Sequence, residues 1–235
     1  MEEYALNAFL EWLQQLQFGN LIDPALTVAA AIICIVVHET CHGLTAYWLG
    51  DPTAKNAGRL TLNPLKHIDI AGLVLLAIVK FGWAKPVPIN MRNFKNPKTG
   101  MAISALAGPV SNVLLALVAL LVRVVLIVLF YNTGAQIFDV LSLLMAYIAI
   151  ISTGLAVFNI IPVPPLDGSK VLAAILPETL YWKLMRYERY GMLLLIVLLF
   201  ANVLDTPLAF LRDGLLDVLI WVTEPFANFM MNLLI

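Results

Sequence analysis

The chain has 235 residues, of which 61% are hydrophobic and 12% charged, whereas an average soluble domain is about 45–50% apolar and about 25% charged. That composition excludes a disordered chain and a soluble globule, so the bilayer is the expected solvent. With 14 Lys and Arg against 15 Asp and Glu, the net charge of −1 offers no basic surface for nucleic acid.

The first 23 residues hold no Lys or Arg. Leu6, Phe9, Leu10, Leu13 and Leu16 recur at helical spacing, which predicts an amphipathic surface helix; a secretory leader would need a basic start. From Pro24 to Leu49 only His38 and Glu39 interrupt an apolar run of 26 residues, long enough to span a membrane. Pro24 suits the helix start and Gly50-Asp51-Pro52 the stop. Cys34 and Cys41 share this helix about 10 Å apart along its axis, too far for a disulfide.

Residues 51–100 form a polar connection. Within it, residues 70–79 are apolar but too short to cross, and read as re-entrant or interfacial. Lys85–Asn90 alternates apolar residues with prolines, the pattern of an edge strand or extended hairpin. Three further spans are expected over 99–122, 140–166 and 190–204, with Arg123 snorkelling to the outer interface. Residues 214–235 read as a terminal span or an interfacial helix. Lys and Arg number eight in 51–100, none in 131–136 and four in 162–189. The positive-inside rule therefore puts both basic connections in the cytoplasm and the N-terminus outside. The expected fold is an all-α polytopic membrane protein, with about five to six transmembrane or re-entrant helices and a small membrane-associated β segment. It is organised as an amphipathic helix over 1–23 and a single domain over 24–235.

The interruption in the first span is His38-Glu39-Thr40-Cys41-His42. Histidines at i and i+4 leave one helix face and can grip one metal ion. Glu39, beside the first of them, occupies the general-base position of metal-assisted hydrolysis. Three titratable side chains within an apolar span are costly unless paired or metal-bound, and two of the chain's three histidines lie here. Two histidines under-coordinate zinc, which wants a third protein ligand and an open position. His67, in a Pro-containing polar turn, reads as an interfacial histidine rather than a ligand. Glu178 and Glu188 read as solvated charges. Asp167 is the better third ligand: it follows Pro162, Pro164 and Pro165, which stop the helix, and unwound backbone at membrane depth has to be buried or line a wet cavity. The competing reading of Asp167 is a helix N-cap.

HETCH in a transmembrane helix, with the Pro-rich Leu-Asp-Gly turn about 130 residues on, resembles the site-2 protease family of intramembrane zinc metalloproteases. GDPTAKNAGRLTLNPLKHIDIAG, FGWAKPVPIN and AGPVSN resemble its compact bacterial members, which lack PDZ and CBS domains. The resemblance implies one zinc ion per chain held by His38, His42 and Asp167, with Glu39 as the base that activates water. It implies that Asn159 holds substrate or stabilises the oxyanion. Asn112 would be a further polar site residue, and its simpler reading is a helix–helix hydrogen bond beside Ala107 and Gly108. The strand over 85–90 would pair with an extended substrate through Val87 and Ile89. The partners implied are the lipid bilayer and a membrane-protein substrate with a transmembrane helix; oligomerisation is left open. Two rival functions are a membrane zinc protease of the prenyl-protein type, with Glu178 or Glu188 as third ligand, and a metal-handling protein that is not an enzyme. The latter would have no use for Glu39.

Overall fold

The computed structural model describes residues 22–67, 69, 85–177, 179–180 and 188–232, and these are overwhelmingly helical. The expected helix over 1–23 lies outside the described residues except at its last two positions, and the apolar stretch 70–79 lies wholly outside them.

Helix α1, Ile22–Trp48, follows the sequence reading closely. It ends before Gly50, which takes a left-handed φ of 103° that a side chain would strain. A short α2, Thr53–Asn56, and 3₁₀ turns at Pro64–Lys66 and Met91–Asn93 make up most of the regular structure before α3, Pro97–Thr133. The Asn96 side chain caps α3 by accepting from Thr99 N–H, with Pro97 in its first turn. At 37 residues α3 is longer than the expected 99–122. It runs on through Arg123, a good helix former, and stops at Gly134 with φ 67°.

Helix α4, Gln136–Ile160, ends where Pro162 restricts the preceding residue to extended backbone. The turn 161–166 leads into α5, Asp167–Ile175. Gly168 permits that return, since a Cβ there would lie 2.0 Å from the Ile160 carbonyl oxygen. Helices α6, Glu188–Phe200, and α7, Asp205–Asn232, meet at an 89° bend. Small residues carry the core between α1, α3, α4 and α7, with Ala30, Cys34, Ala116, Ala119 and Ala149 almost wholly buried. They let backbones approach where apolar burial alone gives little drive for helices to associate.

Three described helices, α1, α3 and α4, are long and apolar enough to cross a membrane, or four crossings if the bent α6–α7 pair counts as one. The stretches expected at 190–204 and 214–235 fall in that pair. The expected β segment is corrected. No strand occurs among the described residues, and Lys85–Asn90 is irregular chain. Its N–H groups pair with other parts of the fold instead of a ladder. Lys85 N–H donates to the His67 carbonyl at 2.9 Å, Val87 N–H to Glu39 Oε2 at 2.8 Å and Asn90 N–H to Asp51 Oδ2 at 2.7 Å. Pro86 and Pro88 have none to give.

Candidate metal centre

The helical period of α1 sets His38 and His42 one above the other, facing α3 and α5. The turn after α4 delivers Asp167 to the same point. His38 Nε2 lies 2.9 Å from His42 Nε2, and Asp167 Oδ2 lies 3.2 and 3.0 Å from the two nitrogens. All three residues are buried, each with 6% of its surface exposed. Among the described residues they are the one cluster of His, Cys, Asp or Glu side chains able to surround a metal ion. Asp167 is the first residue of α5 and Leu166 its N-cap, so the capping alternative does not describe it. Its second oxygen, Oδ1, accepts from Lys170 Nζ at 3.1 Å. An ionised carboxylate and neutral imidazoles are the forms of these side chains that bind metal.

The outer ring nitrogens test whether a metal fits. His42 Nδ1 lies 2.7 Å from the Ser104 carbonyl oxygen. A carbonyl only accepts, so this nitrogen carries the proton and, in the neutral ring, leaves the Nε2 lone pair pointing at the cluster. On His38 the outer nitrogen, Nδ1, lies 3.2 Å from Asn112 Nδ2, while Asn112 Oδ1 is buried without a partner. Rotating this amide by half a turn offers the orphaned oxygen to a His38 Nδ1–H and frees that Nε2 lone pair too. Three electron-pair donors about 3 Å apart then face one another, close to the roughly 3.3 Å between ligands of a tetrahedral zinc ion. The donor set is the His/His/carboxylate set zinc accepts, and it fits.

Helix α3 comes close to this cluster because it is small there. A Cβ on Gly108 would lie 2.4 Å from His42 Cε1 and Nε2 and 2.6 Å from His38 Cε1. Pro109 follows and interrupts the helical hydrogen bonding at this level.

The other candidates fall as follows. Glu39 is half-buried and holds the Val87 N–H. Asn112, with no exposed surface, has its side-chain Nδ2 3.2 Å from His38 Nδ1, joining α3 to α1 at the cluster. Asn159 donates Nδ2 to the Leu155 carbonyl of its own helix at 3.0 Å. Val87 is buried and its N–H is taken by Glu39, so it has neither to offer a pairing strand, while Ile89 is half-buried. His67 is buried away from the cluster, with Nε2 2.8 Å from the Thr61 carbonyl. Glu178 and the side chain of Glu188 lie outside the described residues. The Ser104 carbonyl, the closeness of Gly108 to both imidazoles and the bond from the Val87 amide to Glu39 are not evident from the sequence. Only the AGPVSN motif hinted at Gly108.

Comparison with known proteins agrees with this geometry. Residues 123–202, which include Asp167, match the model of peptidase family M50. The chain is 36% identical over 206 residues to the provisionally named zinc metalloprotease YwhC of Bacillus subtilis, covering 84% of this chain and 92% of that one. It is 29% identical over 185 residues to Rip2 of Mycolicibacterium smegmatis, also provisionally named a zinc metalloprotease, covering 77% and 68% of the two chains. Rip2 of Mycobacterium tuberculosis (strain H37Rv) is 26% identical over 212 residues, covering 86% and 78%. No solved structure matches. A relative of this identity and coverage, with a family match across the Asp167 turn, means that the chain belongs to peptidase family M50, the site-2 protease family of metalloproteases.

Proposed function

We propose that this metalloprotease is an intramembrane zinc endopeptidase, hydrolysing peptide bonds in or near transmembrane segments of other membrane proteins. The observation that carries the reading is the buried His38–His42–Asp167 triangle, two of whose members lie on a helix apolar enough to cross a membrane. A zinc ion there would supply Lewis-acid activation of water and of the scissile carbonyl.

The chain's own residues do the rest. His38, His42 and Asp167 hold the ion, and Ser104 and Asn112 fix the imidazoles in the ligating tautomer. Glu39 receives the proton of the attacking water on its carboxylate and passes it to the nitrogen of the leaving amine. The Asn159 amide is the candidate for holding the substrate carbonyl, which requires it to exchange its bond to Leu155 for one to substrate. Surrounding helices exclude bulk water and strengthen each of these interactions.

The basic segments 51–100 and 162–189 face the cytoplasm and residues 1–20 the exterior. His42 stands six residues before the end of α1, about 9 Å from that basic side, so water and the cleaved bond belong in the cytoplasmic half of the membrane. A substrate helix has to unwind there, because its carbonyls are hydrogen-bonded and shielded; helix-breaking residues lower that cost.

The test uses the full chain in liposomes with a reporter protein bearing one transmembrane helix interrupted by Asn-Gly. Products are mapped by mass spectrometry. Wild type should cut within the cytoplasmic half of that helix and Glu39→Gln should not, with its zinc retained. Cleavage confined to a soluble tail, or equal turnover by Glu39→Gln, contradicts the reading.

A further inference from the structure

The Glu39 carboxylate is tied to the chain segment that sequence reasoning assigned to substrate pairing. Its Oε2 accepts the Val87 backbone N–H at 2.8 Å. Val87 is well placed to make that bond reproducibly. Its side chain is 92% buried, being 8% exposed, and sits over Gly43, one helical turn beyond Glu39. A Cβ on Gly43 would lie 2.9 Å from Val87 Cγ1, 2.7 Å from Leu60 Cδ2 and 3.1 Å from Ala54 Cβ. The segment is fastened on both sides of Val87, by Lys85 N–H to the His67 carbonyl and by Asn90 N–H to Asp51. Pro86 and Pro88 flank it and restrict the backbone.

We propose that Val87 is a positioning residue for the hydrolysis: its backbone N–H aims the Glu39 carboxylate, and the Gly43 socket fixes where that N–H stands. The proposal rests on the reading of Glu39 as the base. A carboxylate on a flexible stem samples several rotamers, and one backbone N–H removes most of that freedom while leaving the other oxygen for the water proton. Misplacing a reacting group by about 1 Å costs on the order of 100-fold in rate. The effect belongs in kcat, because Glu39 acts on the proton and not on substrate affinity. A substrate-pairing role for the Val87 N–H would move KM instead.

The experiment compares kcat, KM and zinc content of the full chain in liposomes, on the same interrupted-helix reporter. Val87→Pro removes the N–H. Gly43→Ala keeps it but displaces the Val87 side chain. The double variant Gly43→Ala/Val87→Ala reopens the socket, since the Leu60 methyl is the free end of a flexible side chain. Val87→Pro and Gly43→Ala should each lower kcat about 100-fold at unchanged KM and full zinc. The double variant should recover at least tenfold over Gly43→Ala. Unchanged kcat in zinc-loaded Val87→Pro, or a raised KM with kcat retained, overturns the proposal. Should Val87→Pro fail to fold, an unaffected Gly43→Ala, or one that Val87→Ala does not rescue, overturns it equally. Glu39→Gln separates the two layers: turnover by that variant removes the base reading itself, whereas an inactive Glu39→Gln beside a normal Val87→Pro removes only the role of Val87.

Discussion

Asn112 shows how much a single buried side chain can specify. It has no exposed surface, and its amide oxygen lacks a partner until the amide is turned towards a His38 Nδ1 that carries a proton. Loss of a group that orients a metal-binding histidine typically weakens metal affinity about 10–100-fold. Asn112→Ala should therefore bind zinc about 10–100-fold more weakly in chelator competition, while Asn112→Asp, which keeps an acceptor, should lose less; equal affinity in Asn112→Ala contradicts the role. Gly108→Ala should do more damage, since its methyl would stand where the imidazoles stand. Zinc loss with the helical circular dichroism retained is the expected result, and full zinc occupancy contradicts it. His38, Glu39 and His42 were legible in the sequence because their relation is local, set by the helical period alone. Asp167 was legible from the prolines that free the chain beside it. The contacts of Gly108 with the histidines and of the Val87 N–H with Glu39 were not, because each joins residues at least 48 positions apart, which no local pattern encodes.

At the scale of elements, α1 was legible to within two residues because Pro24 and Gly50 punctuate it. Helix α3 outruns the charge-free stretch 99–122 at both ends, because absence of charge marks the part fit for the bilayer core and not the helix, which one arginine does not stop. The segment Lys85–Asn90 was read as a strand because apolar residues alternate with prolines. Its donors go instead to Glu39, Asp51 and the His67 carbonyl, partners that alternation does not reveal. Asp51 anchors this segment. Its buried carboxylate accepts from Thr53 N–H at 3.1 Å, Asn90 N–H at 2.7 Å and Asn93 Nδ2 at 2.6 Å, and from the Thr53 hydroxyl. Burial pushes the Asp51 carboxyl up, but the bonds from Thr53, Asn93 and Asn90 outweigh it and leave it below its ordinary value. A carboxyl lowered on folding contributes stability above its unfolded pKa, about 3.9, and loses it as pH falls through the folded value. Asp51→Asn should thus unfold at lower temperature than wild type at pH 7, by about 1–3 kcal/mol of stability. The gap should narrow as pH drops below about 4. Thermal melts in detergent across that range check this, and a gap independent of pH contradicts it.

At the scale of the whole molecule, the proposed topology puts the metal centre near the end of α1 that meets the basic connections, on the cytoplasmic side. Single cysteines at positions 95, 134 and 183, with Cys34 and Cys41 replaced, report it through an impermeant thiol reagent. Position 134 should label from outside, and positions 95 and 183 only after the membrane is opened; the reverse pattern inverts the topology. Everything argued about chemistry, however, depends on one ion held by three side chains from two distant parts of the chain. The direct measurement is zinc content per chain in purified wild type, Asp167→Ala and His67→Ala. Wild type and His67→Ala should each hold one zinc, and Asp167→Ala should lose it or bind it weakly. Full zinc occupancy in Asp167→Ala would contradict the account.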